Sequence, residues 1–314
     1  CVQGVNSSCR QGVNLMCRLT TRSPHWCGAG RVERSGLSGT EFSVLMATYG
    51  RDDARHLEQA LESLAGLRLG ASEVVLVEDG PIGDAARAVI ERYRAALNIQ
   101  SVVMPRNVGL ASALNAGLQH CHHELVVRFD SDDVALPERF ARQIQAFCAD
   151  PAVDVMGSFA QEMDSVGIPG RVRSMPVSHE DILAKLWACP LIHPTVAYRR
   201  SRILAVGGYR TDLRRSEDYD LWFRCAKAGM RFANLPEALI LHRFDETSHL
   251  RHAFQDALER ALSGYRGASL LGMPLWKRLA CFVPLLRAVL PTPLRHPAYR
   301  LLSRFDPRRS GQPD

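Results

Sequence analysis

No two of the nine cysteines in this 314-residue chain stand at the C-x-x-C spacing of a zinc or dithiol site. Four of them, Cys1, Cys9, Cys17 and Cys27, fall in the first forty residues, and Cys121, Cys148, Cys189, Cys225 and Cys281 are scattered. Scattered cysteines read as small core or surface thiols of a reducing cytoplasm. Also missing are a GxGxxG run and a GxxxxGK[ST] run, so the usual dinucleotide and nucleoside triphosphate cradles are absent and a dehydrogenase or kinase reading is poor. No uncharged apolar stretch reaches the ~20 residues that span a bilayer. Residues 270–294 come nearest, and Lys277, Arg278, Arg287, Pro274, Pro284 and Pro291 interrupt them. Residues 1–40 lack an apolar period, a signal-peptide core and an initiating Met, so they are expected to be a disordered extension or an artefact of a reading frame opened too far upstream.

What is present is the composition of a folded protein: 46% hydrophobic and 23% charged residues exclude disorder of the whole chain. The net charge of +6 is uneven, made of +4 in residues 1–40, +7 in residues 266–314 and about −5 between them. A domain that grips nucleic acid carries positive charge on itself, so nucleic acid is not an expected partner. An anionic membrane surface suits the basic tail better. There Leu275, Trp276, Leu279, Phe282, Val283 and Leu286 stand beside basic residues, fitting either a segment in the membrane interface or a helix packed back on the domain.

From residue 42 the pattern is regular. Phe42–Ala47, Glu73–Val77, Ser101–Met104 and Leu125–Phe129 are apolar runs of strand length. Between and after them, helical spacing appears at Leu57, Leu61 and Leu64, at Ala85, Val89 and Tyr93, at Leu110, Ala113, Leu114 and Gly117, and at Phe140, Ile144 and Phe147. Four βα units in succession predict an α/β fold with a mostly parallel central sheet covered by helices on both faces. Ligands of such sheets bind beyond the carboxyl ends of the strands. All four ends are polar here: Thr48-Tyr49-Gly50-Arg51, Glu78-Asp79-Gly80-Pro81, Arg106-Asn107-Val108-Gly109 and Asp130-Ser131-Asp132-Asp133.

Asp130, Asp132 and Asp133 lie within four positions, a repulsive arrangement unless a cation such as Mg²⁺ or Mn²⁺ sits among them. Acids at the solvated start of a helix give the same pattern. Asp79 and Tyr49 suit a nucleoside, as acceptor for a base or ribose and as a stacking ring, while a ring packed on the sheet explains Tyr49 equally. Ser216-Glu217-Asp218 opens another helical pattern, where Ser216 fits an N-cap and Asp218 lies near the positive end. An ionised carboxylate there is able to take a proton from a hydroxyl, or is one more first-turn acid.

In order, MATYGR, VEDG, RNVGLASALNAG, DSDD and SEDYDLWFR resemble the family 2 glycosyltransferases, whose members adopt the Rossmann-like GT-A fold. The resemblance runs from about Phe42 to Arg243 and has the look of bacterial exopolysaccharide and surface-glycan enzymes. It implies Tyr49 and Asp79 as nucleoside contacts, Asp130 and Asp132 as the metal and diphosphate motif, and Arg106, Asn107 and Gly109 as the loop over the donor, with Asn115 and Gly117 behind it. It implies Asp218 as the base and places Leu191–Thr195, with His193, and the Gly207-Gly208-Tyr209-Arg210 turn beside the acceptor. One of His242, Asp245 or His249 stands where relatives complete the metal site.

These expectations combine into a catalytic domain over residues 41–265, its donor half ending near 150, followed by a basic tail over 266–314. The implied activity is inverting transfer of a sugar from a nucleotide-sugar, with a lean to uridine, to a hydroxyl of a glycan or lipid-linked acceptor, with Mg²⁺ or Mn²⁺. The expected place is the cytoplasm, at the inner face of the membrane. The rivals are a nucleotide-sugar-binding partner without turnover and a sugar nucleotidyltransferase, the latter disfavoured because MATYGRDD lacks a Gly-rich basic loop.

Overall fold

A computed structural model describes residues 40–243 and 253–285, all within one compact unit. Expectations for residues 1–39, Asp245, His249 and 286–314 lie outside the described residues.

The chain starts with β1 (Phe42–Tyr49), α1 (Ala54–Ala65), β2 (Glu73–Asp79), α2 (Asp84–Leu97), β3 (Ile99–Val103), α3 (Leu110–His120) and β4 (Leu125–Arg128). It continues through β5 (Val134–Ala135), α4 (Arg139–Ala149), β6 (Val153–Met163), β7 (Pro169–Arg173), α5 (His179–Ala184), β8 (Ala197–Arg199) and α6 (Arg200–Ala205). The last elements are α7 (Glu217–Lys227), β9 (Arg231–Arg243), α8 (Ala253–Leu270) and α9 (Leu275–Ala280).

The sheet runs β3-β2-β1-β4-β8-β6-β9-β5, with β7 paired to β6. The four expected strands form a parallel half: β1 lies parallel to β2 and β4, and β2 to β3. Beyond β4 the sheet is mixed, because β8 pairs antiparallel with β4 and β6 while β9 runs parallel to β6. Side chains of a strand alternate between faces. Val44 and Met46 enter the core under α1, α2 and α4, whereas Leu45, Val75 and Val77 enter the core shared with α3 and α7. Both faces are covered, which is why these strands read as continuous apolar runs.

Besides Leu110, which opens α3 37% exposed instead of joining its buried face, two details of the helical reading change. The buried stripe of α2 is Ala86, Val89, Ile90 and Leu97 rather than Ala85, Val89 and Tyr93. Both sets share Val89, and an Ala on either side of the stripe leaves the register open. The second concerns the boundary at 265/266, which falls inside α8.

Strand order reverses between β1 and β4, since the chain leaves β1 for β2 and β3 and then returns to β1's other edge. Such a switch point leaves a crevice at the carboxyl ends. Asp52, just after β1, closes the floor of it: its Oδ2 accepts from the Thr48 hydroxyl at 2.9 Å, the Ser131 hydroxyl at 2.8 Å and the Tyr49 amide at 3.2 Å.

Candidate active site

The nucleoside side of the crevice is built by β1, β2 and the loop after β3. Tyr49 ends β1 with its ring 42% exposed, so it is available for stacking and does not pack on the sheet. Asp79 is buried, and its carboxylate accepts from the amides of Val108 at 2.7 Å and Gly109 at 3.0 Å. Asn107 Nδ2 donates to the Asp79 carbonyl at 3.3 Å. Asp79 thus orders the 107–109 loop, a duty the motif alone did not reveal. Its approach to that loop requires glycine next door: Gly80 has φ +86, and a Cβ there would stand 2.5 Å from the Asn107 nitrogen. Arg106 is exposed at the rim.

Asn115 and Gly117 do not reach the crevice. Asn115 accepts from the Tyr209 amide at 2.8 Å and donates to the Tyr209 carbonyl at 2.7 Å, tying α3 to the Gly207–Arg210 turn. Gly117 lies flat on the sheet, where a Cβ would stand 2.4 Å from Leu45 Cδ1.

At the end of β4 three aspartates have three different environments. Asp133 is fully buried and accepts from the Arg243 amide at 2.8 Å and from His242 Nδ1 at 3.1 Å. Asp130 Oδ1 lies 2.5 Å from Arg128 Nη1. Asp132 opens toward solvent, yet partial withdrawal from bulk water and the charges of Asp130 and Asp133 push its carboxyl up to about 7. A divalent cation is the group that relieves this repulsion, and the hard carboxylates of Asp130 and Asp132 suit Mg²⁺ or Mn²⁺. Among the described residues no three such side chains converge as a ligand set. Mg²⁺ commonly keeps waters and substrate phosphates beside one or two carboxylates, so two protein ligands are an adequate share. His242 is turned to Asp133.

The residue that organises this end of the site is Arg128, 2% exposed inside the strand. Its Nε has no hydrogen-bond partner. Besides Asp130, its charge bears on Glu217 and Asp218, stabilising both ionised forms. A second buried arginine, Arg139, donates to the Arg128 carbonyl at 2.6 Å and the Pro194 carbonyl at 2.8 Å, with its guanidinium 5.0 Å from the Phe129 ring centroid. An arginine inside the run LVVRF was the available signal for this centre, since a charge in a strand buried on both faces needs a partner.

Glu217 and Asp218 open α7. Burial raises both carboxyls, Glu217 to about 7, where the charge of Asp218 adds to the cost of ionising it. For Asp218 the guanidinium of Arg260, the Tyr219 amide and Arg128 pull back toward the ionised form. Asp218 Oδ1 accepts from the Tyr219 amide at 2.7 Å. Asp220 is held in an ion pair with Arg224 at 2.7 Å. Ser216 does not cap the helix with its side chain. Its hydroxyl turns instead to Glu259 at 2.9 Å and Ser263 at 3.0 Å, because α8 offers partners that no local pattern discloses. His193 is buried, 3.0 Å from the Tyr209 hydroxyl by its Nε2, and burial holds it well below its ordinary pKa and neutral. It packs between Tyr209 and Trp222 and does not line the crevice.

A cavity of about 190 Å³ lies between the donor loop and the approach to α7, lined by Val108, Gly109, Leu110, Ala111, Thr211, Leu213 and Arg214. A larger one, about 360 Å³, is lined by Leu183, Ala226, Met273 and Lys277 at the far end of α7 and is remote from the carboxylates.

The family model described as Glycosyl transferase family 2 matches residues 43–208, more than half of the chain. The chain belongs to glycosyltransferase family 2. This glycosyltransferase is 40% identical over 201 residues to the amylovoran biosynthesis glycosyltransferase AmsE of Erwinia amylovora, covering 63% of this chain and 74% of that one. It is 32% identical over 227 residues to the Escherichia coli UDP-Gal:alpha-D-GlcNAc-diphosphoundecaprenol beta-1,3-galactosyltransferase, covering 72% and 82%. In fold it is similar to S. aureus TarS 1-349 in complex with UDP-GlcNAc, at a TM-score of 0.61 and 21% identity, over 79% of this chain and 72% of that one. The nucleotidyltransferase reading is thereby set aside. The family match ends before Asp218, so the base rests on residues and geometry.

Proposed function

We propose that this glycosyltransferase inverts the anomeric centre of a UDP-linked sugar as it transfers it to a hydroxyl of a glycan or lipid-linked acceptor in polysaccharide biosynthesis. The observation that carries the reading is the buried cation Arg128, which pairs with Asp130 of the diphosphate motif and whose charge favours the ionised forms of Glu217 and Asp218.

Tyr49 would stack on the base, while Asp79 keeps the loop of Arg106, Asn107 and Gly109 ordered beside the donor. Asp130 and Asp132 would hold Mg²⁺ or Mn²⁺, which when bound offsets the charge of the departing diphosphate. Asp218 takes the proton from the acceptor hydroxyl as that oxygen bonds to the anomeric carbon and the bond from that carbon to the diphosphate oxygen breaks. The raised carboxyl of Asp218 makes it a stronger base than a surface aspartate, and Arg260 and Arg128 keep it ionised. The UDP lean and the lipid-linked acceptor are supported by the printed substrates of the E. coli relative and the TarS complex. No helix among the described residues is long and apolar enough to cross a membrane. The exposed apolar side chains of α9, beside Lys277 and Arg278, support peripheral contact with the cytoplasmic membrane face.

Asp218→Asn tests the reading. It preserves shape but accepts no proton, so calorimetric donor affinity should persist while nucleoside diphosphate release in the presence of acceptor falls by ~10²-fold or more. Near-wild-type release would remove Asp218 from the chemistry.

A further inference from the structure

The approach to the base is held by a helix that no motif marks. Three groups just ahead of α7 meet one carboxylate on α8. The amides of Arg214 and Arg215 donate to Glu259 Oε1 at 3.0 and 2.9 Å, and the Ser216 hydroxyl donates to the same oxygen at 2.9 Å. Glu259 Oε2 accepts again from the Arg214 amide, at 3.1 Å. One turn further along α8, Ser263 meets the Ser216 hydroxyl at 3.0 Å. Since Ser216 leaves the first turn of α7 without a side-chain cap, Glu259 supplies from outside the order that a local cap supplies elsewhere.

The same face of α8 is shaped to lie against α7. Residues three and four apart share a helix face. On this face Gly264 and Gly267 admit Tyr219 and Phe223, and a Cβ at Gly267 would stand 2.1 Å from Phe223 Cδ2. Arg260, beside Glu259, places its guanidinium 5.1 Å from the centroid of the Tyr219 ring, and its charge favours the ionised form of Asp218. Two adjacent residues of α8 therefore act on the base segment, one on its backbone and one on its charge.

We infer that Glu259 is a positioning residue for sugar transfer, fixing residues 214–216 so that Asp218 stands at the acceptor hydroxyl. This rests on the reading of Asp218 as the base. Glu259 touches neither the donor loops nor the aspartates after β4, so its loss acts on the chemical step and leaves donor binding intact. A misplacement of about 1 Å in a reacting group is enough to cost up to ~10²-fold in rate.

The experiment compares Glu259→Ala, Glu259→Gln, Ser216→Ala and Asp218→Asn in the full chain. Glu259→Ala should lower kcat by ~10- to 100-fold with donor KM within about twofold of wild type. Glu259→Gln retains a carbonyl oxygen at the same place and should recover most of that loss. Amide hydrogen exchange should rise at Arg214 and Arg215 in the alanine variant and stay near wild type in the glutamine variant. If Glu259→Ala does not fold, Ser216→Ala, which removes only the hydroxyl contacts, should still lower kcat several-fold at unchanged donor KM. Wild-type kcat in the Glu259 and Ser216 variants beside an inactive Asp218→Asn would overturn the positioning role alone. Wild-type turnover in Asp218→Asn would overturn the base assignment, and the positioning role with it.

Discussion

At the residue scale, the three aspartates after β4 show how one motif divides its labour. Asp133 is enclosed by Arg243 and His242, Asp130 neutralises Arg128, and Asp132 is left facing solvent with its carboxyl pushed up to about 7. Asp132 is therefore the cleaner test of metal binding. Removing Asp130 also strands a buried guanidinium, a change that costs about 3–5 kcal/mol and confounds any loss of activity. Asp132→Ala should abolish Mn²⁺-dependent affinity for nucleoside diphosphate in calorimetry while the melting temperature holds. In the wild type the same affinity should weaken as pH falls below about 7, because the proton and the metal compete for one carboxylate whose pKa is raised to that value. A pH-independent affinity, or Mn²⁺ dependence surviving in the variant, would place the metal elsewhere. DSDD was legible as an acidic cluster in the sequence, with Arg128 just ahead of it, whereas the division among its members also depended on His242 and Arg243, which come from another stretch of chain.

At the element scale, local pattern predicted the strands that are buried on both faces and missed the helix that has none of their regularity. β1 to β4 appear within a residue or two of their expected limits, since a continuous β-branched run has few other structures to adopt. α8 carries Gly264 and Gly267, which read as helix-weakening residues until Tyr219 and Phe223 are seen lying against them. Gly267→Ala tests that contact. The added methyl meets the ring of Phe223, itself buried, and the expected cost is about 1–3 kcal/mol, read as a lowered denaturation midpoint at unchanged slope. An unshifted midpoint would mean that α8 rides loosely on α7 and is unable to position anything there.

At the scale of the whole molecule, α9 and the turn after it present apolar side chains outward: Leu275, Trp276, Leu279 and Val283 are 62%, 60%, 56% and 41% exposed, flanked by Lys277 and Arg278. Behind them Met273 and Cys281 are buried, so the segment packs on the domain, as one of the two readings expected, and leaves an apolar face. Truncation at residue 270 would remove the buried contacts as well. The double variant Trp276→Ser, Leu279→Ser separates the two, and should lower sedimentation with anionic vesicles by ~10-fold or more while stability and turnover of a soluble acceptor persist. Sedimentation equal to wild type would assign membrane contact to residues outside the described ones.

The sequence by itself determined the βα alternation, the polar strand ends and the order of motifs that marks family 2, because each is written in residues close together in the chain. Strand burial, helix period and turn chemistry are local properties, and they were readable as such. Tertiary structure alone decided which acid is paired and which is free, that Asp79 orders the 107–109 loop, and that Ser216 faces α8 rather than its own helix. Those outcomes depend on partners tens of residues away in sequence. Burial makes a charge depend on its nearest partners in space, and only the fold says which those are.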